Sequence, residues 1–107
     1  PLYSQLADGS IRNSYEIKLN NKLTAPMTVG IRIEGLSGAI LDMDGMERIA
    51  LEPQERLKLL ARVQLAPDPT RSGETGDKIT FVVELLEGAM ADPIRREVPF
   101  SMPETSR

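Results

Sequence analysis

The 107-residue sequence contains no cysteine and no histidine. These side chains most often serve as thiol nucleophile, general base or transition-metal ligand. Their absence excludes a serine–histidine triad, a cysteine nucleophile and a disulfide framework. The absence of cysteine does not decide the redox compartment, because such a chain fits the cytosol and also a periplasmic domain that folds without cross-links.

Other features are scarce as well. Tryptophan is absent and aromatic residues make up 4% of the chain, so aliphatic side chains must supply most of the core. The net charge of −3 is small, which argues against a nucleic-acid or anionic-membrane surface. No apolar run approaches the ~20 residues of a membrane-spanning helix. With no signal peptide either, we expect a soluble piece of a longer protein.

What is present is a strict alternation of apolar and polar residues. Ile79, Phe81 and Val83 share one parity, and Lys78 and Thr80 share the other. This two-residue period is typical of half-buried β-strands. Turn residues separate the runs at intervals typical of an all-β sandwich. The predicted strands are residues 2–6, 11–19, 27–34, 39–43, 47–51, 57–65, 78–86 and 95–100.

The pattern predicts an all-β fold, an immunoglobulin-like β-sandwich of about seven or eight antiparallel strands. We assign residues 1–101 to the sandwich, expect a loop over residues 66–76, and expect residues 102–107 to fray as a C-terminal tail. Asp44-Gly45 between two short apolar runs predicts a hairpin. The predicted core comprises Tyr15, Ile17, Leu19, Val29, Ile31, Ile33, Leu59, Val63, Ile79, Phe81, Val83, Leu85 and Phe100.

Two sets of residues are candidate sites. Met43 and Met46 flank the predicted hairpin turn, and their thioethers are soft ligands for cuprous copper; the competing interpretation is that methionines fill gaps in an aromatic-poor core. Leu60, Val82 and Leu86 are apolar on the outward parity of two strands. If they adjoin one another, they form a surface that docks a partner protein.

The opening of the chain resembles a specific sequence block. The block is similar to the C-terminal immunoglobulin-like domain of the FixG/CcoG family of cytochrome c oxidase accessory proteins. The similarity covers residues 1–3, 6–15, 17–19 and 21–22. It continues through residues 34–39 and the spacing to Gly73, Ile79 and Phe81. The end, Phe100 to Pro103, is less typical, because relatives often have Gly-Pro near that point.

The resemblance implies a membrane-bound parent protein that carries iron–sulfur clusters and takes part in assembly of the cbb-type cytochrome c oxidase and in copper reduction. It places this domain on the periplasmic side of the bacterial inner membrane. No cluster ligand carries over, since cysteine is absent. We expect no catalytic residue, no cofactor in this domain, no nucleic-acid partner and no membrane insertion of this piece.

The resemblance therefore predicts a non-catalytic interaction domain. Its expected partner is an oxidase subunit, a copper chaperone or the parent's own membrane domain. Two alternatives stay open: a copper-handling domain that uses Met43 and Met46, and a free-standing adhesion or ligand-binding β-sandwich.

Overall fold

The computed structural model describes residues 3–67, 77–88 and 91–102. Within these residues it contains eight strands and no helix that could span a bilayer. Most of the predicted loop over residues 66–76 and of the predicted tail over residues 102–107 lies outside them. The strands are β1 (Ser4–Gln5), β2 (Ile11–Asn20), β3 (Met27–Glu34), β4 (Ile40–Asp42), β5 (Ile49–Leu51), β6 (Arg56–Leu65), β7 (Asp77–Glu87) and β8 (Ile94–Phe100).

The strands form two four-stranded sheets, which confirms the predicted β-sandwich. Sheet 1 has the order β1-β2-β6-β4 and sheet 2 has the order β5-β3-β7-β8. All pairings are antiparallel. The longest ladder joins β2 to β6 and runs from Ile11 opposite Leu65 to Asn20 opposite Arg56. The chain changes sheet repeatedly between β2 and β7, so both sheets close over one core.

The prediction of a hairpin at Asp44-Gly45 is wrong, although a tight turn is present at these two residues. Asp44 and Gly45 have φ angles of 57° and 80°, and the Met46 amide donates to the Met43 carbonyl at 3.2 Å. Two positive φ angles are what an Asp-Gly turn provides. The flanking strands do not pair with each other: β4 joins β6 in sheet 1 and β5 joins β3 in sheet 2. The turn therefore passes the chain from one sheet to the other.

The core follows the inward parity of both sheets. Six residues of the predicted core are buried, and the other seven are partly buried and pack against it. Six more buried residues complete it. Ile11, Ala61 and Leu65 come from β2 and β6, and Met43, Ile49 and Leu51 come from the crossover between the sheets. The buried members of the predicted set are Val29, Leu59, Val63, Ile79, Phe81 and Phe100.

Side-chain hydrogen bonds join β2 to the end of β8. The Asn13 side-chain amide donates to the Ser101 carbonyl at 3.0 Å and accepts from the Ser101 amide at 2.8 Å. The Tyr15 hydroxyl donates to the Pro99 carbonyl at 2.9 Å, and its ring meets Phe81 edge to face at 5.1 Å. These contacts fix the two sheets relative to each other at one edge of the sandwich.

Candidate functional site

The structure does not bring Leu60, Val82 and Leu86 together. Leu60 projects from β6 on the outer face of sheet 1, while Val82 and Leu86 belong to β7 in sheet 2. Leu60 is 50% exposed and Leu86 is 42% exposed, but Val82 is 0% exposed. The three residues therefore do not adjoin, and the condition for a single docking patch is not met, because the outer faces of the two sheets point in opposite directions.

Val82 is buried on an outer face because charged neighbours cover it. It lies directly between Arg32 of β3 and Arg95 of β8 in the strand register. Arg32 forms ion pairs with Glu34 and with Glu84, the latter at 2.9 Å, and Arg95 pairs with Glu34 at 2.7 Å. Long arginine stems cover apolar surface while their charged ends stay in water.

The ion pairs around Arg32 also lower the pKa of a carboxyl group. The hydrogen bond from Arg32 is the main cause that lowers the pKa of Glu34. Further pairs on the same side of the molecule join Lys78 to Glu97 at 3.7 Å and Arg48 to Glu87. The charged side chains named above on the outer face of sheet 2 thus pair with one another.

The outer face of sheet 1 has a different charge balance. Its members are the even-numbered residues of β2, β4 and β6, since the odd-numbered ones face the core. Leu60 lies opposite Glu16, and Lys58 lies opposite Lys18. The face carries five cationic side chains, Arg12, Lys18, Arg56, Lys58 and Arg62, and two acidic ones, Glu16 and Asp42.

Two of these five cations have an acidic partner. Arg62 pairs with Asp44 at 3.2 Å, and Lys18 lies 3.9 Å from Glu16. Within residues 3–67, 77–88 and 91–102, no ion pair or side-chain hydrogen bond engages the remaining three cations of this face, which are Arg12, Arg56 and Lys58. Sequence reasoning missed this cationic face, although the parity of β2 and β6 contains the signal.

An apolar groove of about 530 Å³ opens between β2 and β8. β6 pairs with one edge of β2 along its whole length. On the other edge β1 pairs only with Ile11 and Arg12, so no described strand covers the rest of that edge, and the groove forms there. Its charged rim residues are exposed, and its interior suits an aliphatic group. The interior is lined by Ile17, Leu19, Val83, Leu85 and Val98.

Tyr15 lies at the wall of this groove and is the most strongly perturbed titratable group of the site. Its partial burial between the sheets raises its pKa to about 12. The phenol is therefore neutral under physiological conditions and donates its proton in the hydrogen bond to Pro99. The contacts of Tyr15 with Pro99 and Phe81 join β2 of sheet 1 to β8 and β7 of sheet 2.

The copper hypothesis requires two exposed thioethers, and the structure provides one. Met46 is 41% exposed, but Met43 is 8% exposed and belongs to the core. The copper alternative therefore lacks Met43 as a surface ligand, because the chain crosses between the sheets there and Met43 fills the interior. In the described part of the chain, Asp and Glu side chains form no cluster of three that could hold a metal ion.

Comparisons with known proteins decide the family. Residues 1–103 match the family described as "IG-like fold at C-terminal of FixG, putative oxidoreductase". The chain belongs to this family. This confirms the resemblance to the FixG C-terminal domain and the immunoglobulin-like fold.

A solved structure supports the same fold. The chain is similar to the crystal structure of a FixG-related protein from Vibrio parahaemolyticus, with a TM-score of 0.68 and 23% sequence identity. The match covers 87% of this chain and 80% of that one. A comparison with curated protein sequences finds no match. Iron–sulfur clusters are held by cysteine thiolates, so the residues of this FixG C-terminal domain do not fit as cluster ligands.

Proposed function

We propose that this FixG C-terminal domain is a non-catalytic docking module. In this proposal it lies on the periplasmic side of the bacterial inner membrane as part of a membrane-bound iron–sulfur protein that serves cbb-type oxidase assembly and copper reduction. Redox chemistry belongs to the rest of that parent. The partner is an oxidase subunit, a copper chaperone or the parent's own membrane domain.

One observation carries the docking role: Leu60 is half exposed at the centre of an ordered sheet face. It lies within the β2–β6 ladder, opposite Glu16, and β4 pairs with β6 from Arg62 to Gln64, two residues further on. The backbone at Leu60 is therefore held in place before a partner arrives, so little conformational entropy is lost on binding. Covering its exposed half contributes about 1 kcal/mol to affinity.

The test replaces Leu60 in the full-length parent and measures capture of oxidase-assembly proteins from detergent-solubilised membranes. We expect Leu60→Ser to weaken capture about fivefold, which corresponds to the ~1 kcal/mol of lost burial. Leu86→Ser is the matched control, because Leu86 has a similar exposure on the opposite face. Equal capture by both variants and the unaltered parent would contradict docking through Leu60.

A further inference from the structure

We propose that the outer face of sheet 1 docks an acidic protein surface, with Leu60 entering an apolar recess between the partner's carboxylates. The inference rests on the docking function proposed above and names the chemistry of the partner. It depends on three observations: the local charge, the strand register and the spacing of the apolar residues.

The charge of this face opposes that of the whole chain. The chain carries a net charge of −3, yet the strands of this face carry five cations against two acids, and a third acid, Asp44 of the turn after β4, pairs with Arg62. The outer face of sheet 2 shows that this fold can pair its charges internally, since Arg32, Lys78 and Arg95 all have acidic partners there. The cationic character is thus a property of sheet 1 alone.

The register places like charges directly opposite each other. Lys18 and Lys58 are cross-strand partners on this face. Opposed like charges destabilise an antiparallel pair. Arg56 follows on the same face, opposite Asn20. A complementary acidic surface would relieve this repulsion, and electrostatic complementarity of this kind directs encounter and specificity.

The apolar residues of the face favour a protein over a lipid surface. Leu60 is flanked on its own strand by Lys58 and Arg62, and it faces Glu16 across the ladder. The other exposed aliphatic residue of this face is Ile40, which lies opposite Gln64. Gln64 is four residues along β6 from Leu60, so at about 3.3 Å per residue Ile40 is displaced from Leu60 by about 13 Å along the strand direction. A single anchor ringed by charge resembles a protein hot spot, whereas insertion into a bilayer needs a contiguous apolar surface.

The experiment uses a photoreactive amino acid in place of Ser14 in the full-length parent. Ser14 is exposed on this face and lies opposite Arg62, so the substitution retains Leu60 and all five cations. We expect adducts in intact cells whose cross-linked partner peptides are acidic. The double change Arg56→Glu and Lys58→Glu should reduce adduct yield about tenfold, and so should raising salt from about 50 to about 300 mM in isolated membranes.

Two controls isolate the face and its charge. A photoreactive residue at Ala50, exposed in β5 of sheet 2, should give few adducts. The double change Arg48→Glu and Lys78→Glu alters net charge equally on the other face and should leave the Ser14 adducts unchanged. Unfolding midpoints of the 107-residue chain check that each variant folds, and Arg56→Gln with Lys58→Gln replaces the reversal if it does not.

The outcomes separate this inference from the docking function. Protein adducts at Ser14 that are not acidic, or that persist after charge reversal, overturn the acidic-partner inference and leave docking intact. Adducts only with a second copy overturn it as well. Cosedimentation of the 107-residue chain with phosphatidylglycerol vesicles, without protein adducts, assigns the face to lipid and overturns it. No protein adduct from either position overturns both proposals.

Discussion

Asn21 offers the sharpest test of how this fold is held together. Its side chain is 0% exposed in the turn after β2. The side-chain amide donates to the carbonyls of Ala25 at 3.0 Å, Leu51 at 3.2 Å and Glu52 at 3.1 Å. Its oxygen accepts from the Leu23 amide at 3.0 Å. One side chain therefore joins the β2–β3 turn to the end of β5.

Replacing Asn21 by alanine removes all four contacts. The Glu52 carbonyl still accepts from the Glu55 amide at 3.0 Å, but the Ala25 and Leu51 carbonyls and the Leu23 amide lose their bond to this side chain. Each such group costs about 1–3 kcal/mol. Some carbonyls will rotate toward water, so we expect a total loss of about 2–4 kcal/mol. That is a large share of the ~5–15 kcal/mol that stabilises a domain. The assay is urea unfolding of the 107-residue chain followed by circular dichroism.

Asn21→Asp adds a dependence on pH. The carboxylate keeps the acceptor but places negative charge among three carbonyl oxygens, so burial should raise its folded pKa above ~3.9. For a raised pKa, stability is full below the unfolded pKa and is lost as pH rises through the folded pKa. The deficit should therefore be smaller near pH 3.5 than at pH 7, whereas the Asn21→Ala deficit should not change.

The control is the exposed neighbour. Asn20→Ala should change stability by no more than about 0.5 kcal/mol. If Asn21→Ala costs no more than Asn20→Ala, or if Asn21→Asp shows the same deficit at both pH values, the reasoning about the buried amide is refuted.

Three further predictions concern the sheets. Tyr15 should ionise near pH 12, so the stability it contributes should be full below about pH 10 and fall as pH rises toward 12. The absorbance of tyrosinate, compared between the unaltered chain and Tyr15→Phe, measures the ionisation of Tyr15. Val82→Ala should cost about 1–3 kcal/mol in urea unfolding, whereas Leu60→Ala should cost less than 1 kcal/mol, since Val82 is buried and Leu60 is not. Lys58→Glu should raise the free energy of unfolding by about 0.2–1 kcal/mol by pairing with Lys18; a loss of stability would contradict the assigned register.

Local pattern predicted the strands well because parity decides which side chains meet the core. The strand predicted over residues 27–34 is β3 (Met27–Glu34), and the alternation in β6 (Arg56–Leu65) places every odd-numbered residue inward. Sheet membership did not follow from pattern. The Asp44-Gly45 turn has the expected positive φ angles, but the partners of β4 and β5 are distant in sequence, and no local signal identifies them.

The candidate site shows the same limit. Outward parity was correct for Leu60, Val82 and Leu86, but adjacency depends on strand order, which puts Leu60 in the other sheet. The burial of Val82 depends on Arg32 and Arg95 from two other strands. The cationic face could have been found by aligning the even-numbered residues of β2 and β6. That step requires knowing that these two strands pair.

The docking role is tested most directly by comparing two forms of the full-length parent, one intact and one lacking residues 1–101. Affinity capture from solubilised membranes, at equal amounts of each parent in the membrane, measures association with oxidase-assembly proteins. We expect the shortened parent to retain the proposed iron–sulfur clusters and to lose those partners. Unchanged capture, or clusters lost together with the domain, would contradict a docking module without redox chemistry of its own.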